Sequence, residues 1–398
     1  MVKRNVKIEI IRIIACMMVI WYHIREFPFK DNGELNETAV FFECICTICV
    51  VTFFLITGFF IYNKDGNIIT NWIGLIKKFF TKTFIPFIIT VIFCIIFHEF
   101  LITRATFTEC IASFSLIEAL NTIKESFLTF SADPLPGTAA HLWYIYSYAI
   151  IIFCYPITKY ILTKLPKIVS YIIIIILTVF MVINDYHLFY GDPSYNKIFE
   201  IIHKPIYYSA VGYVLYNDII RKYIDGKNSK SLIINVKVFI ISFVIYIISF
   251  IGLFKTQCAY DLTINGPYVY TSWLSIFSLL LSSSFILFTY SINFEMIIDS
   301  INSFVKRHNE KVKENFDLRN VVFFISSKTL GIYMIHYLLI TKLLSLGVQV
   351  ELTRYMPYFL NHLLYYMLYG GFIFIVSLLI VCIIERISRS ISLLVKKH

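Results

Sequence analysis

The chain has 398 residues, of which 58% are hydrophobic, 18% are aromatic and only 15% are charged. A soluble domain of this size needs far more charge on its surface, so the composition excludes a soluble protein and indicates a polytopic membrane protein. The formal net charge of +10 is spread over several segments between apolar stretches. Anionic lipid headgroups are the expected neighbours of such segments, and no nucleic-acid partner is expected.

Apolar stretches follow one another along the chain, and they predict an all-α membrane protein with about ten transmembrane helices. The predicted spans are 8–24, 44–61, 83–98, 142–158, 168–184, 205–216, 238–254, 271–290, 327–346 and 362–384. The sixth span is short and is predicted to begin at Pro205, because a helix tolerates proline in its first turn.

Lysine and arginine are distributed as expected for a chain whose two termini both lie in the cytoplasm. The six inner segments then carry 3, 4, 3, 5, 6 and 4 basic residues, whereas the five outer loops carry 2, 2, 2, 1 and 1. Every inner segment exceeds every outer loop, in agreement with the positive-inside rule. A missed or invented helix would invert this alternation downstream, which supports the count of ten.

We expect residues 1–398 to form a single integral membrane domain with no fused soluble domain. Its long connections are the outer segment 99–141 and the inner segment 291–326. Within the outer segment, residues 107–114 and 116–120 have helical spacing and predict short amphipathic helices on the outer face.

The cysteines and histidines do not form a metal-binding pattern. No cluster of His, Cys, Asp or Glu has the spacing of metal ligands, so no metal site is expected. Cys110 and Cys258 both fall in predicted outer loops. Whether they pair stays open, since a sequence alone fixes no disulfide connectivity.

Arg12 and His23 lie eleven residues apart in the first predicted span. At about 100° and 1.5 Å per residue, the two side chains share one helix face and are separated by roughly 16 Å along the axis. An ionisable residue in a membrane span is costly unless it faces protein or water, so the pair indicates a functional polar track.

Each of these two residues has a functional and a structural interpretation. His23 is expected at the outer end of the helix, as a general base or a nucleophile, or else as an interfacial residue of the aromatic belt. Arg12 is expected near the cytoplasmic end, as a contact to an anionic ligand, or else snorkelling or paired with Glu9.

Further segments carry motifs in the same order as those of a known family. The five segments are Arg12-x10-His23, FFLITGF from Phe53 to Phe59, Lys78-x3-Lys82-x3-Pro86, His141-Leu142-Trp143-Tyr144 and GIYMIH from Gly331 to His336. Together they resemble the acyltransferase-3 family of integral membrane acyltransferases. Thr57 stands where that family usually has serine, and it keeps the hydroxyl. Lys78 and Lys82 stand where arginine is commoner, and lysine lacks the bidentate fork that arginine offers a phosphate.

The resemblance implies transfer of an acetyl or succinyl group from cytoplasmic acyl-coenzyme A to a hydroxyl of an extracytoplasmic glycan or cell-envelope molecule. Acyl-coenzyme A is then a co-substrate, and no permanently bound cofactor is expected. The expected location is a bacterial plasma membrane; the oligomeric state does not follow from the sequence. The implied residues are His23 as base; Arg12, Lys78 and Lys82 as donor contacts; and His141, Trp143, Tyr333 and His336 at the acceptor or at a secondary site.

Two alternatives stay open at this point. Trp143 fits an interfacial anchor as well as a sugar-stacking platform, and Tyr333 with His336 fits a pair that holds helices together. The whole chain also fits a transporter or exporter of a glycan or acyl group without chemistry of its own. The lack of an internal repeat and the few Gly and Pro residues in the spans count against a transporter.

Overall fold

The structure is a computed structural model, and it describes residues 4–25, 35–102, 106, 108–109, 115–129, 132–189, 197–225, 235–259, 275–308, 317–345 and 358–395. Within these residues, all secondary-structure elements longer than a single bridge are helices, which confirms the predicted all-α class.

The helices are named in chain order. They are α1 (Val6–Ile24), α2 (Glu37–Cys46), α3 (Ile48–Ile61), α4 (Ile68–Phe79), α5 (Ile85–Ile96), α6 (His98–Ile102), α7 (Leu116–Thr129), α8 (Trp143–Phe153), α9 (Tyr155–Lys164), α10 (Lys167–Phe189), α11 (Lys197–Val214), α12 (Val236–Ala259), α13 (Ile276–Ser291), α14 (Phe294–His308), α15 (Leu318–Ser326), α16 (Thr329–Ser345) and α17 (Tyr358–Val395). The π-helical segments Phe80–Phe84 and Leu215–Ile224 continue α4 and α11, and a 3₁₀ turn, Gly137–Leu142, precedes α8.

Several helical stretches in the described residues are long and apolar enough to cross a membrane. Four are continuous: Glu37–Ile61, Ile68–Ile96, Val236–Cys258 and Phe359–Ser388. Two more are bent pairs, α8 with α9 at 55° and α15 with α16 at 61°. The protein is therefore a multi-pass membrane protein with four to six candidate spans by length and composition, and the count of ten and the cytoplasmic termini stay predictions.

The chain divides into two compact units. The first comprises Met1–Met18, Glu26–Ile73 and Ile150–Ser327, and the second comprises Val19–Arg25, Gly74–Ala149 and Lys328–His398. The expectation of one membrane domain over the whole chain stays a prediction.

In the first unit, α3 and α11 approach each other at two glycines. A Cβ added at Gly58 would lie 2.7 Å from the carbonyl carbon of Ser209, and one added at Gly212 would lie 2.7 Å from the Cα of Leu55. Backbone therefore faces backbone on both helices. The hydroxyl of Thr57 donates to the carbonyl of Phe53 within α3 at 2.8 Å. The segment from Phe53 to Phe59 thus has a packing role in this unit.

A buried lysine holds the carboxyl end of α3. The Nζ of Lys159, which is 6% exposed, donates to the carbonyl oxygen of Tyr62 at 3.0 Å and also to that of Lys64. The last carbonyls of a helix have no partner within the helix, so a cation there satisfies them and complements the helix dipole. The ring of Tyr62 stacks on that of Tyr155 with a centroid distance of 5.9 Å.

In the second unit, α16 packs closely against α17. A Cβ at Gly331 would lie 2.8 Å from the Cγ atoms of Val381, so the small residue permits this approach. Near the other end of α16, the Nζ of Lys342 donates to the carbonyl of Phe100 at 2.5 Å. These contacts hold in position the helix that carries most of the site described below.

The prediction that Pro205 begins a helix is wrong. Pro205 lies inside α11, and the helical backbone continues as the π-helical segment to Ile224 rather than ending at residue 216. Proline removes one backbone hydrogen bond, but membrane helices tolerate this loss because neighbouring groups satisfy the freed carbonyl. The apolar pattern also underestimates the length of the helix, because its last turns are amphipathic and carry polar residues.

The long connections contain helices of their own. Residues 116–120 belong to α7, as predicted, whereas residues 107 and 110–114 lie outside the described residues. Cys110 is among them, so its pairing with Cys258 stays open. The segment 291–326, which the sequence predicts on the inner side, contains α14 and α15.

Candidate active site

Three histidines from distant parts of the sequence meet in the second unit. His23 ends α1, His141 lies in the 3₁₀ turn before α8, and His336 lies on α16. Their ring centroids are 5.2 Å apart for His23 and His336, 5.3 Å for His141 and His336, and 6.3 Å for His23 and His141. The sequence predicted each residue separately as functional; the structure brings them into one cluster, which we call the histidine cluster.

His336 has a defined orientation and protonation pattern. Its side chain is fully buried, and Nδ1 lies 2.8 Å from the carbonyl oxygen of Tyr333 and 3.2 Å from that of Ile332. Because carbonyl oxygens only accept hydrogen bonds, Nδ1 carries the proton and the Nε2 of the neutral ring has a lone pair. Nε2 is buried and has no hydrogen-bond partner among the described residues.

His141 is held by the backbone of α16. Its side chain is 3% exposed, and Nε2 lies 3.3 Å from the carbonyl oxygen of Met334. The hydroxyl of Tyr333 donates in turn to the backbone carbonyl of His141. Two hydrogen bonds in opposite directions therefore tie the 3₁₀ turn to α16. Tyr333 and His336 were predicted on one helix face, and both contribute to the cluster.

His23 is the more accessible member of the cluster. It is half-buried, whereas His141 and His336 are buried. A general base must reach both its substrate and the groups that orient it. Among the three histidines, His23 is the one that combines contact with fixed neighbours and partial exposure of the residue.

Two neighbours of His23 were not predicted from the sequence. The ring of Tyr337 lies 4.9 Å from that of His23 and 5.0 Å from that of His141. The guanidinium of Arg25 lies 3.8 Å from the ring centroid of Tyr22 and donates to its carbonyl. The available signal for Tyr337 was its position four residues after Tyr333, which puts both on one helix face.

Arg12 lies in the first unit, where Glu9 holds it. The carboxylate of Glu9, whose side chain is 4% exposed, lies 3.0 Å from the Nη1 of Arg12 and 3.0 Å from the Nε of Arg4. The pairing with Glu9 that the sequence left open is therefore present. The Arg12 side chain is 30% exposed, and the carboxylate of Glu9 orients its guanidinium.

The remaining predicted residues lie on the second unit. Lys78 near the end of α4 and Lys82 in the following π-helical segment are exposed, and neither forms an ion pair with a described residue. Trp143 begins α8, two residues after His141, and is half-buried. Their roles stay predictions. In the part of the chain that the structure describes, no group of three His, Cys, Asp or Glu side chains is arranged to hold a metal ion.

One comparison with known proteins identifies the family of the chain. The family model described as an acyltransferase domain, which defines the acyltransferase-3 family, matches residues 5–384. No curated protein and no solved structure matches the chain significantly. The family match covers nearly the whole chain and includes the histidine cluster, and members of this family are membrane O-acyltransferases. The chain therefore belongs to the acyltransferase-3 family and is a membrane O-acyltransferase.

Proposed function

We propose that the protein transfers an acetyl or succinyl group from cytoplasmic acyl-coenzyme A to a hydroxyl of an extracytoplasmic glycan or cell-envelope molecule. The observation that carries the proposal is the histidine cluster, in which a half-buried His23 contacts two buried histidines. A multi-pass membrane O-acyltransferase needs such a base where an acceptor hydroxyl and a thioester meet. A bacterial plasma membrane is the proposed location.

His23 acts as the general base. It takes the proton of the acceptor hydroxyl as the oxygen attacks the thioester carbonyl, so that a new C–O bond forms and a tetrahedral intermediate results. The C–S bond then breaks, and the proton on His23 neutralises the leaving thiolate of coenzyme A. Histidine suits both steps because it exchanges a proton near neutral pH. In the alternative left open by the sequence, His23 carries the acyl group transiently as a nucleophile.

Arg12 contacts the donor. Glu9 fixes the orientation of its guanidinium, and a pre-oriented guanidinium binds phosphate with little loss of side-chain entropy. Lys78 and Lys82 are proposed as further donor contacts, because both are exposed cations on one continuous helical stretch. Lysine contacts a phosphate as a point charge rather than through two parallel hydrogen bonds.

The acceptor is proposed to bind near Trp143, whose half-buried ring is able to stack on a sugar. Tyr333 and His141 are better explained as positioning groups, because their hydrogen bonds join each other's segments. Membership of a family of O-acyltransferases favours this enzymatic function over the transporter alternative.

The experiment is acyl transfer by purified protein in liposomes with radiolabelled acetyl- or succinyl-coenzyme A on one side. We expect coenzyme A release by the wild type, a fall in turnover of about 10²-fold or more for His23→Ala, and a raised KM for the donor in Arg12→Ala. His98→Ala is a matched control, because His98 bonds only Thr138 among the described residues, at 3.3 Å. Unchanged turnover in folded His23→Ala would contradict the proposal. Label retained on the wild-type protein after rapid quenching, and lost in His23→Ala, would identify the nucleophilic route.

A further inference from the structure

His336 carries an unused acceptor at the centre of the histidine cluster. Its Nδ1 proton is committed to the carbonyls of Ile332 and Tyr333, and its Nε2 is buried with no partner among the described residues. A buried polar atom without a hydrogen bond costs about 1–3 kcal/mol, so an orphaned nitrogen beside two other histidines calls for a partner, and a functional one is a natural explanation.

Two histidines lie next to this ring, His23 at a centroid distance of 5.2 Å and His141 at 5.3 Å. Two imidazoles joined in line by an N–H···N bond have centroids roughly 5 Å apart, since the bond is about 2.9 Å and each nitrogen lies about 1.1 Å from its ring centre. The observed centroid distance between His23 and His336 is 5.2 Å, with the rings tilted by 46°. The separation fits a hydrogen bond that is not formed in this structure, and its formation requires a rotation of the half-buried His23 ring about its χ2 angle.

His141 is a less suitable partner for His23. Its Nε2 faces the carbonyl of Met334, and its Nδ1 is, like the Nε2 of His336, buried with no partner among the described residues. However, its centroid lies 6.3 Å from that of His23 at 81°, which is beyond the roughly 5 Å of an N–H···N bond. The other titratable or charged groups around His23 are Tyr337 of α16, Arg25 beyond the end of α1, and Tyr22. None of these three offers a buried, unprotonated nitrogen.

We propose that His336 is the positioning residue of His23. Its Nε2 accepts a hydrogen bond from one ring N–H of His23, which fixes the tautomer of His23 and leaves the other nitrogen unprotonated toward the acceptor hydroxyl. When His23 takes the hydroxyl proton, the bond to His336 stabilises the resulting imidazolium without a second proton transfer, as an orienting carboxylate does in a catalytic triad. This inference rests on the proposed role of His23 and deepens it.

Two variants of His336 test the roles of its two ring nitrogens separately. The amide of asparagine reaches the position of Nδ1, so His336→Asn keeps a donor for the carbonyls of α16 and removes the acceptor. The amide of glutamine reaches the position of Nε2, so His336→Gln keeps an acceptor oxygen opposite His23. For the radiolabelled donor that the wild type turns over, we expect kcat to fall about 10²-fold in His336→Asn, with an unchanged KM and an altered pH profile. The kcat of His336→Gln is expected to be about tenfold higher than that of His336→Asn, or more.

The controls distinguish failure of this inference from failure of the proposed function. His98→Asn is the matched histidine variant outside the cluster and should behave as the wild type in turnover and melting temperature. If His336 acts through His23, the double variant His23→Ala/His336→Asn is no slower than His23→Ala, because the two residues work as a unit. Multiplicative losses, or wild-type turnover in His336→Asn, would overturn the positioning role while leaving His23 as base. Wild-type turnover in His23→Ala would overturn both.

A second readout does not depend on the donor. Solid-state NMR of protein labelled with ¹⁵N-histidine in liposomes should contain an unprotonated nitrogen resonance that disappears in His336→Asn. The hydrogen bond predicts that this resonance shifts in His23→Ala and keeps its position in His98→Asn. An unshifted resonance in His23→Ala, or a protonated Nε2 on His336, would refute the proposal whatever the acyl donor is.

Discussion

Replacing Gly58 by alanine tests the closest helix contact in the first unit. The added Cβ would overlap the carbonyl of Ser209 and lie 2.7 Å from its carbonyl carbon. Carbon atoms in contact are usually about 3.5–4.0 Å apart, so α3 and α11 must separate by at least about 1 Å, because the carbonyl oxygen of Ser209 lies closer still. The obstacle is backbone rather than a side chain that can change rotamer, so the helices have no cheaper way to relieve the overlap.

The cost follows from the lost contacts. A gap of about 1 Å removes roughly a third of the dispersion well of each atom pair, about 0.05 kcal/mol, so an interface of about 60 pairs loses on the order of 3 kcal/mol. The better helix propensity of alanine returns about 1 kcal/mol. We therefore expect Gly58→Ala to lower the free energy of unfolding by about 2 kcal/mol. With an unfolding entropy of about 2.1 cal/mol/K per residue, this loss lowers Tm by about 2–3 °C if the chain unfolds as one.

The measurement is thermal unfolding of the purified protein in mild detergent. Gly371→Ala is the matched control, because no atom lies within 4 Å of the added Cβ, and it should be neutral or slightly stabilising. Gly212→Ala meets α3 from the opposite helix, so one separation relieves both overlaps. The double variant should therefore lose less than the sum of the single losses. A Tm for Gly58→Ala equal to that of Gly371→Ala, or fully additive losses, would refute the close backbone contact.

Two further predictions concern the ends of helices. Lys159→Met removes the cation that donates to the carbonyl of Tyr62, and should cost about 2 kcal/mol of unfolding free energy, whereas the exposed Lys164→Met should cost nothing measurable in the same thermal assay. Asp317 accepts the backbone N–H of Arg319 at 2.9 Å as the N-cap of α15, and this bond lowers the pKa of the carboxyl. Asp317→Ala should cost about 1 kcal/mol at pH 7. Because the folded pKa is depressed, the difference from the wild type should be full above the unfolded pKa of about 4 and be lost as the pH falls through the folded pKa; a difference that stays constant throughout acid titration would contradict it.

The sequence predicted the helical class, and it singled out the three histidines of the cluster without predicting that they lie together. Hydropathy identifies apolar helices because the membrane allows few other structures. Arg12 and His23 are noticeable in the sequence because an ionisable side chain in a membrane span is costly and is therefore usually functional. The pairing of Arg12 with Glu9 was also foreseeable, because residues three apart share a helix face.

What the sequence did not predict depends on contacts between distant segments. His141 and Met334 are 193 residues apart and are joined by a hydrogen bond, which no local spacing indicates. Gly58 was recognised as part of a family motif, but its packing against α11 follows only from where Ser209 lies. Tyr337 carried no motif at all. Its relevance comes from facing His23, and that is a property of the fold.

Sequence motifs miss part of the site, because several of the groups that hold its histidines belong to the backbone of α16. The groups that hold His336 and His141 are the carbonyls of Ile332, Tyr333 and Met334, and only the hydroxyl of Tyr333 is a side chain. A carbonyl oxygen has two lone pairs, so it can accept a histidine N–H in addition to its helical hydrogen bond. Substituting the side chains of Ile332 or Met334 leaves these acceptors in place, so a mutational scan would not reveal them. The site is held by a helix main chain that the packing of α16 makes rigid, and rigid support is what a precisely oriented base requires.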